Sequence, residues 1–340
     1  MLTLGLARSE ANETKTARAS HIAGIAAETT HTSYTKHRPT IAGKRHLPAT
    51  PKLEFSKVSQ IYEGVRGRTT ALDSLSLKVY SGESVAILGP SGCGKSTSLL
   101  LACGLLSPTQ GSVCIDGKKI VRPRLETALI LQDFGLMPWK TVEQNAGLGL
   151  QVRRIPKRER KQRVAEALSR VGLSDFATAY PSELSGGMRQ RLAMARALTC
   201  DIDLLLMDEP LSALDALLRE DMQNMLKLTW RESGYAQVLV THSVEEAVFL
   251  GQRVVVMTPR PGRVAFVLEN AEMTSDEWRS NPLFFERCRM LRDVLRKHAD
   301  GSAKSPTFGD STPGDFDCDA DVSSDDMTPC TADGKGANHA

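Results

Sequence analysis

The sequence contains no apolar run of the roughly 20 residues that a membrane-crossing helix needs. Its opening, MLTLGLAR, is too short for the apolar core of a signal peptide, and Ser9, Glu10 and Asn12 break it at once. The expected location is therefore the cytoplasm, with any membrane role passing through a partner. Net charge is also scarce. Its +3 comes from 43 Lys and Arg against 40 Asp and Glu, which leaves no electrostatic footprint of nucleic-acid binding. Zinc spacing is missing as well: the cysteines (Cys93, Cys103, Cys114, Cys200, Cys288, Cys318 and Cys330) are odd in number and form no CxxC or Cys/His pair, so reduced thiols are expected. What remains is 340 residues, 41% hydrophobic and 24% charged, enough for one large or two smaller soluble domains with an ordinary core.

Residues 1–51 are rich in Thr, Ala, His and Lys without a sustained period, and read as a flexible extension. Order is expected from about Leu53. Short apolar runs at Val85–Leu88, Leu129–Leu131, Leu204–Met207, Val238–Val240 and Val254–Met257 suit strands buried on both faces. Helical patterns lie between most of them, which predicts a largely parallel α/β sheet. The stretch from about 133 to 200 differs. Lys157–Val171 is charged, with Val164, Ala167, Leu168 and Val171 on one stripe, so a helical subdomain is expected there. The basic run Arg153–Lys161 reads as a solvated helix face rather than an RNA contact. Phe284, Cys288, Leu291 and Leu295 recur at helical spacing, predicting one amphipathic helix within a 269–300 segment, packed back on the domain. Residues 301–340 carry a net charge of −6, from eight Asp and two Lys, and read as a disordered acidic tail. Its Asp run lacks the internal Gly and closing Glu of an EF-hand, so no calcium loop is expected.

Gly89-Pro90-Ser91-Gly92-Cys93-Gly94-Lys95-Ser96, followed by Thr97, fits the phosphate-loop pattern G-x-x-x-x-G-K-[ST]. Glycines let successive backbone N–H groups turn toward one point and cradle phosphate oxygens, and the following helix adds its positive N-terminal end. Lys95 is placed to reach the β- and γ-phosphates of a nucleotide, and the Ser96 hydroxyl to hold Mg²⁺. The loop sits between the strand Val85–Leu88 and an apolar helix expected over Ser98–Leu105. Leu204–Met207 then ends in Asp208 and Glu209, which places two carboxylates at the C-terminal edge of the sheet, where α/β folds bind ligands. Asp208 suits Mg²⁺ through water, and Glu209 suits the water that attacks a γ-phosphate.

Between these motifs lies Leu184-Ser185-Gly186-Gly187-Met188-Arg189-Gln190, which resembles the LSGGQ signature of ABC ATPases, with Met188 where the commonest form has Gln. The resemblance covers roughly 53–265, and the family's other motifs follow in order. Gln132 matches the Q-loop, Ser212-Ala213-Leu214-Asp215 the D-loop and His242 the switch histidine, while Tyr62 stands where an aromatic stacks on adenine. The resemblance implies a RecA-like P-loop NTPase core over 52–268, with an inserted helical subdomain and an N-terminal antiparallel β part. It implies ATP and Mg²⁺ as cofactors. Gln132 would offer an oxygen to the metal and His242 a hydrogen bond to the γ-phosphate. Ser185 and Gly187 would bind the γ-phosphate of the opposite subunit, and Gly186 and Asp215 would also belong to the nucleotide-binding set.

It further implies a head-to-tail dimer enclosing two ATP, and membrane partners that turn closure into alternating access. Met137-Pro138-Trp139-Lys140-Thr141-Val142 and Thr258-Pro259-Arg260-Pro261-Gly262-Arg263 resemble the ATPases of nitrate, sulfonate and taurine importers. On that resemblance the chain would lie peripherally at the cytoplasmic face of the inner membrane. Its partners would be two permease copies and, through them, an extracytoplasmic solute-binding protein, with no nucleic acid. The alternative is a soluble ABC switch acting on nucleic acid or ribosomes. Those usually carry paired ABC domains, long coiled coils or zinc cysteines, and this chain has one set of motifs and none of these.

Overall fold

The computed structural model describes residues 50–64 and 67–299. The N-terminal extension, apart from Thr50 and Pro51, and the 301–340 tail lie outside the described residues. So do Cys318 and Cys330, while the other five cysteines are free thiols.

Two sheets form the body. The first is antiparallel, in the order β2-β1-β4-β5, built from β1 (Leu53–Gly64), β2 (Gly67–Val79), β4 (Gln110–Ile115) and the short β5 (Lys118–Lys119). Along β2, Leu75, Leu77 and Val79 are buried while Ser74, Ser76 and Lys78 are exposed, the two-residue period of a sheet with one wet face. The second has the order β10-β9-β3-β8-β7-β6. It comprises β3 (Ser84–Leu88), β6 (Thr127–Ile130), β7 (Leu204–Asp208), β8 (Ala236–Thr241), β9 (Arg253–Met257) and β10 (Val264–Glu269). All neighbours pair in parallel except β9 and β10. Every residue of β3, β7 and β8 is buried, as their unbroken apolar runs require when both faces are covered. Register places Leu88 beside Thr241 and Asp208 beside Val240, so the turns leaving β3, β7 and β8 emerge at one edge.

Helix α1 (Lys95–Ala102) starts three residues before the expected Ser98. Gly94, at φ 96°, begins the helix directly from the loop, and Gly104, at φ 75°, follows its end. Between β6 and β7 lie α2 (Val142–Ala146), α3 (Leu148–Val152), α4 (Lys157–Arg170) and α5 (Gly186–Leu198). Thr141 opens α2 with a reciprocal capping box to Gln144. These helices bury a cluster of their own, with Val142, Leu150, Val164, Leu168 and Leu192 at its centre. Then come α6 (Ala216–Ser233), α7 (Val244–Leu250) and α8 (Pro282–Ala299). As the stripe predicted, α8 buries Phe284, Cys288 and Leu291, and it packs on α7. Trp278, fully buried, donates its indole N–H to Val248 O at 2.9 Å and meets the Phe284 ring edge-on at 6.0 Å. Burying side chains of this size contributes about 1.5–3 kcal/mol each, and α7 begins two residues after His242. The C-terminal helix is thereby docked against the helix that follows the His242 turn.

Candidate nucleotide site

The phosphate loop leaves the buried end of β3. Gly92 and Gly94 have φ of 76° and 96°, in the left-handed region that side chains avoid. Gly94 is doubly constrained, since a Cβ there would lie 2.6 Å from Leu72 Cδ2 and 2.9 Å from Ala71 O. Lys95, only 6% exposed, donates to Gly89 O at 2.8 Å and Pro90 O at 2.9 Å. Its ammonium is thus held over the mouth of the loop, next to the N-terminal end of α1.

Asp208 and Glu209 stand at the end of β7. Burial pushes the Asp208 carboxyl above the usual carboxylate range. The Ser96 hydroxyl facing it and the Lys95 charge pull it back, and Glu209 adds to the rise. Asp208 Oδ1 is buried without a hydrogen-bond partner among the described residues. Glu209 has φ 47°, rare for a residue with a side chain and worth of order 1–2 kcal/mol in strain. Its N–H donates to Val240 O at 2.9 Å, and its carbonyl accepts from Gln190 Nε2 at 3.3 Å and Ser212 Oγ at 3.1 Å. These bonds hold the backbone, and the carboxylate faces the histidine turn. Glu209 Oε1 lies 3.1 Å from His242 Nδ1.

His242 itself is exposed, but the turn that carries it is not. Thr241 donates its hydroxyl to the Glu246 carboxylate and accepts from Ser243 N at 3.0 Å. Glu246 is buried, which raises its pKa to about 7, while Thr241, Arg219 and His242 pull it down and Glu209 pushes it up.

A cleft of about 490 Å³ lies at this edge, and Gly89, Pro90, Ser91, Gln132, Glu209 and His242 all line it. A buried Asp208 oxygen lacking a partner, the Ser96 hydroxyl and the Gln132 amide form the hard-oxygen set that suits Mg²⁺. Among the described residues no group of three His, Cys, Asp or Glu side chains could hold a metal alone. Phosphate and water oxygens would have to complete the shell, as Mg²⁺ prefers.

The other residues singled out in the sequence lie off this cleft. Tyr62 is 41% exposed on β1, with its hydroxyl 3.3 Å from Thr97 Oγ1, so it stands beside the start of α1. Ser185 caps α5 by accepting from Met188 N at 3.3 Å, with Gly186 and Gly187 opening that helix. A Cβ on Gly187 would sit 3.2 Å from Leu214 Cδ2, so the signature glycines abut the D-loop. Asp215 caps α6 through Leu218 N at 3.0 Å. Gln190, on α5 and fully buried, joins Glu209 O to Ala213 N.

Sequence reading missed four residues that line the cleft: Met257, Pro259, Leu295 and His298. Leu295 was visible as part of an apolar stripe. Nothing in that stripe says that the end of α8 reaches the nucleotide edge.

A phosphate loop, an acidic strand end and a histidine turn converging on one edge of a parallel sheet define a P-loop nucleoside-triphosphatase. The ABC transporter profile matches residues 72–212. An uncharacterized ABC transporter ATP-binding protein of Methanocaldococcus jannaschii is 41% identical over 245 residues, 72% of this chain and 91% of that protein. The taurine import ATP-binding protein TauB of Burkholderia pseudomallei is 46% identical over 213 residues, 63% of this chain and 82% of its own length. Among solved structures, the dimeric post-hydrolysis state of the ATP-binding cassette MJ0796, bound to ADP and Pi, superposes with a TM-score of 0.60 at 32% identity. That match covers 64% of this chain and 98% of that one. The chain belongs to the ABC transporter family, as an ATP-binding, ATP-hydrolysing subunit.

Proposed function

We propose that this subunit binds Mg²⁺-ATP at the Gly89–Thr97 loop and drives import of taurine, a related sulfonate or a similar small anion through a membrane permease. The observation that carries this reading is the convergence of the phosphate loop, Gln132, Asp208, Glu209 and His242 at one sheet edge. Residues Gly89 to Gly94 cradle the phosphates with backbone N–H groups, and Lys95 leaves its loop carbonyls for the β- and γ-phosphate oxygens. Tyr62 offers its ring to the base. Ser96, Gln132 and Asp208 would hold Mg²⁺, which would supply charge neutralisation to the phosphates. Glu209 accepts the proton of the attacking water, and His242, oriented by Glu209 and its braced turn, donates to the γ-phosphate.

Ser185, Gly186, Gly187 and Asp215 serve the ATP of a second copy, so ATP closes a head-to-tail pair and hydrolysis reopens it. The exposed cap of α5 supports this, because its donors are unused by the chain's own cleft. The nucleotide-binding domain spans 52–268, its helical subdomain about 133–200, and the segment 269–300 docks on it. The permease holds the pair at the cytoplasmic face of the inner membrane, and an extracytoplasmic binding protein delivers the solute. No helix among the described residues is long and apolar enough to cross a membrane, so the translocation path is assigned to the permease.

Glu209→Gln tests the chemistry. Hydrolysis should fall by at least about 100-fold, as loss of a general base does, with ATP still bound and a dimer trapped on size-exclusion chromatography. Unchanged turnover removes Glu209 from the base role. Affinity purification from gently solubilised membranes tests the transport assignment. A multi-span permease should accompany the chain, and recovery of ribosomes or DNA without one would overturn it.

A further inference from the structure

The hairpin turn between β9 and β10, Thr258 to Arg263, has no part in the roles above, although Pro259 lines the cleft. Its surroundings give it one. A phosphate loop that turns its N–H groups inward leaves carbonyls facing outward, and each needs a partner. Those of Gly89 and Pro90 accept from Lys95, and that of Gly92 accepts from Arg260 Nε at 3.1 Å. The next residue, Cys93, has its carbonyl against Gly262. A Cβ at 262 would lie 1.9 Å from Cys93 O and 2.7 Å from Met257 Cε. Gly262 does not have a positive φ, so close approach, and not conformation, demands glycine here. The third residue, Gly94, rests on Leu72 and Ala71 of β2.

The turn is itself pinned to β2. Gly262 N donates to Ala71 O at 2.9 Å, Asp73 N to Gly262 O at 3.0 Å, and Arg263 Nε to Asp73 Oδ2 at 3.1 Å. Thr258 closes it from inside, accepting from Arg263 N and donating to Pro261 O, both at 3.0 Å. Three consecutive phosphate-loop residues are thus held from outside by one rigid frame of β2 and this turn.

We propose that Arg260 and Gly262 are positioning residues for nucleotide binding, holding the Gly92 and Cys93 carbonyls outward so that the loop's N–H groups stay aimed at the phosphates. The assignment rests on the phosphate loop being the ATP site. It predicts an effect on binding of any nucleotide that reaches the loop with its β-phosphate, whether or not a γ-phosphate is present.

Arg260→Ala in the full chain is the test, because Arg260 is exposed and its truncation leaves the core intact. MgATP and MgADP affinities are measured by calorimetry, and KM and kcat by ATPase assay. The dissociation constants for both nucleotides and the KM should rise together by about five- to tenfold, the scale of one partly solvated charge-assisted hydrogen bond. The change should fall on KM rather than kcat, and Arg260→Lys, which keeps a donor, should recover most of it. Gly262→Ala should have the larger effect in the same direction. Wild-type affinities in Arg260→Ala would overturn the proposal. So would a loss confined to ATP, which marks a direct γ-phosphate contact, or a loss of melting temperature with unchanged KM, which marks a merely structural residue. Lys95→Ala run in parallel separates the two readings. Undiminished ATP binding by that variant would overturn the ATP-site assignment itself, and the bracing role with it.

Discussion

At the edge of the parallel sheet, Lys95 and Asp208 are each 6% exposed, and groups from β2, β8, α5 and the β9–β10 turn hold their neighbours in place. At the tip of α5, Ser185 is exposed, and among the described residues its hydroxyl bonds only its own helix, at Met188 N. Both regions carry specific motifs, yet one is built inward and the other outward. On the proposed function, the contrast separates two tasks. Groups that must meet phosphate with fixed geometry are preorganised by several elements. Groups meant for something outside the chain need only a rigid stalk, which α5 supplies through the separate helical core around Val142, Leu150 and Leu192.

The sharpest way to break this contrast is to remove the inward cation. Lys95→Ala should weaken ATP binding by about 30- to 100-fold, the 2–3 kcal/mol of a charged hydrogen-bonding group, and equilibrium dialysis reads it directly. Equal affinity would remove the loop from ATP binding and leave the contrast without its inward half.

The outward region should respond differently. Ser185→Ala should lower steady-state hydrolysis about tenfold, one lost contact to a partner's phosphate, while leaving ATP affinity of the isolated chain unchanged. Loss of the cap should also cost the α5 helix about 1 kcal/mol. A drop in monomer affinity instead would place Ser185 in its own chain's cleft and collapse the distinction.

A different readout, stability against pH rather than binding or turnover, probes the buried support of the histidine turn. Glu246 has a folded pKa of about 7, above its ordinary 4.5. A carboxyl with a raised folded pKa binds more protons in the native than in the unfolded state. Its contribution is therefore fully present below roughly pH 4.5 and is lost as pH rises through about 7. Glu246→Gln, which cannot ionise, should lose less stability than the parent across that window, by up to about 3 kcal/mol. Urea titrations at the two ends of the window measure it. Parallel pH dependence in both proteins would place the carboxyl in a more polar setting than its burial implies.

Much of this was legible in the residues themselves. The apolar runs around Ile87, Leu206 and Val240 identify strands covered on both faces, because such runs have nowhere else to go. The glycines, lysine and serine of the phosphate loop then locate the ligand edge. Boundaries were less legible. The helix expected from Ser98 begins at Lys95, since an apolar count cannot see that a left-handed Gly94 starts the helix from within a motif. The framing of the loop was illegible for a different reason. Gly262 and Cys93 are 169 positions apart in the chain, and only the pairing of β9 beside β3 brings them together. The same holds for His298 in the cleft, which depends on how Trp278 and Phe284 seat α8 rather than on any local pattern.

The backbone of Glu209 has a bearing on how the protein would fare under laboratory selection. With φ at 47° it occupies a conformation that glycine tolerates and other residues resist. A library screened only for heat resistance should therefore drift toward glycine or asparagine at 209 and yield sturdier chains that no longer turn over ATP. Comparing survivors of such a screen with survivors of a growth screen on the transported solute would expose, at this single codon, where durability and chemistry part company.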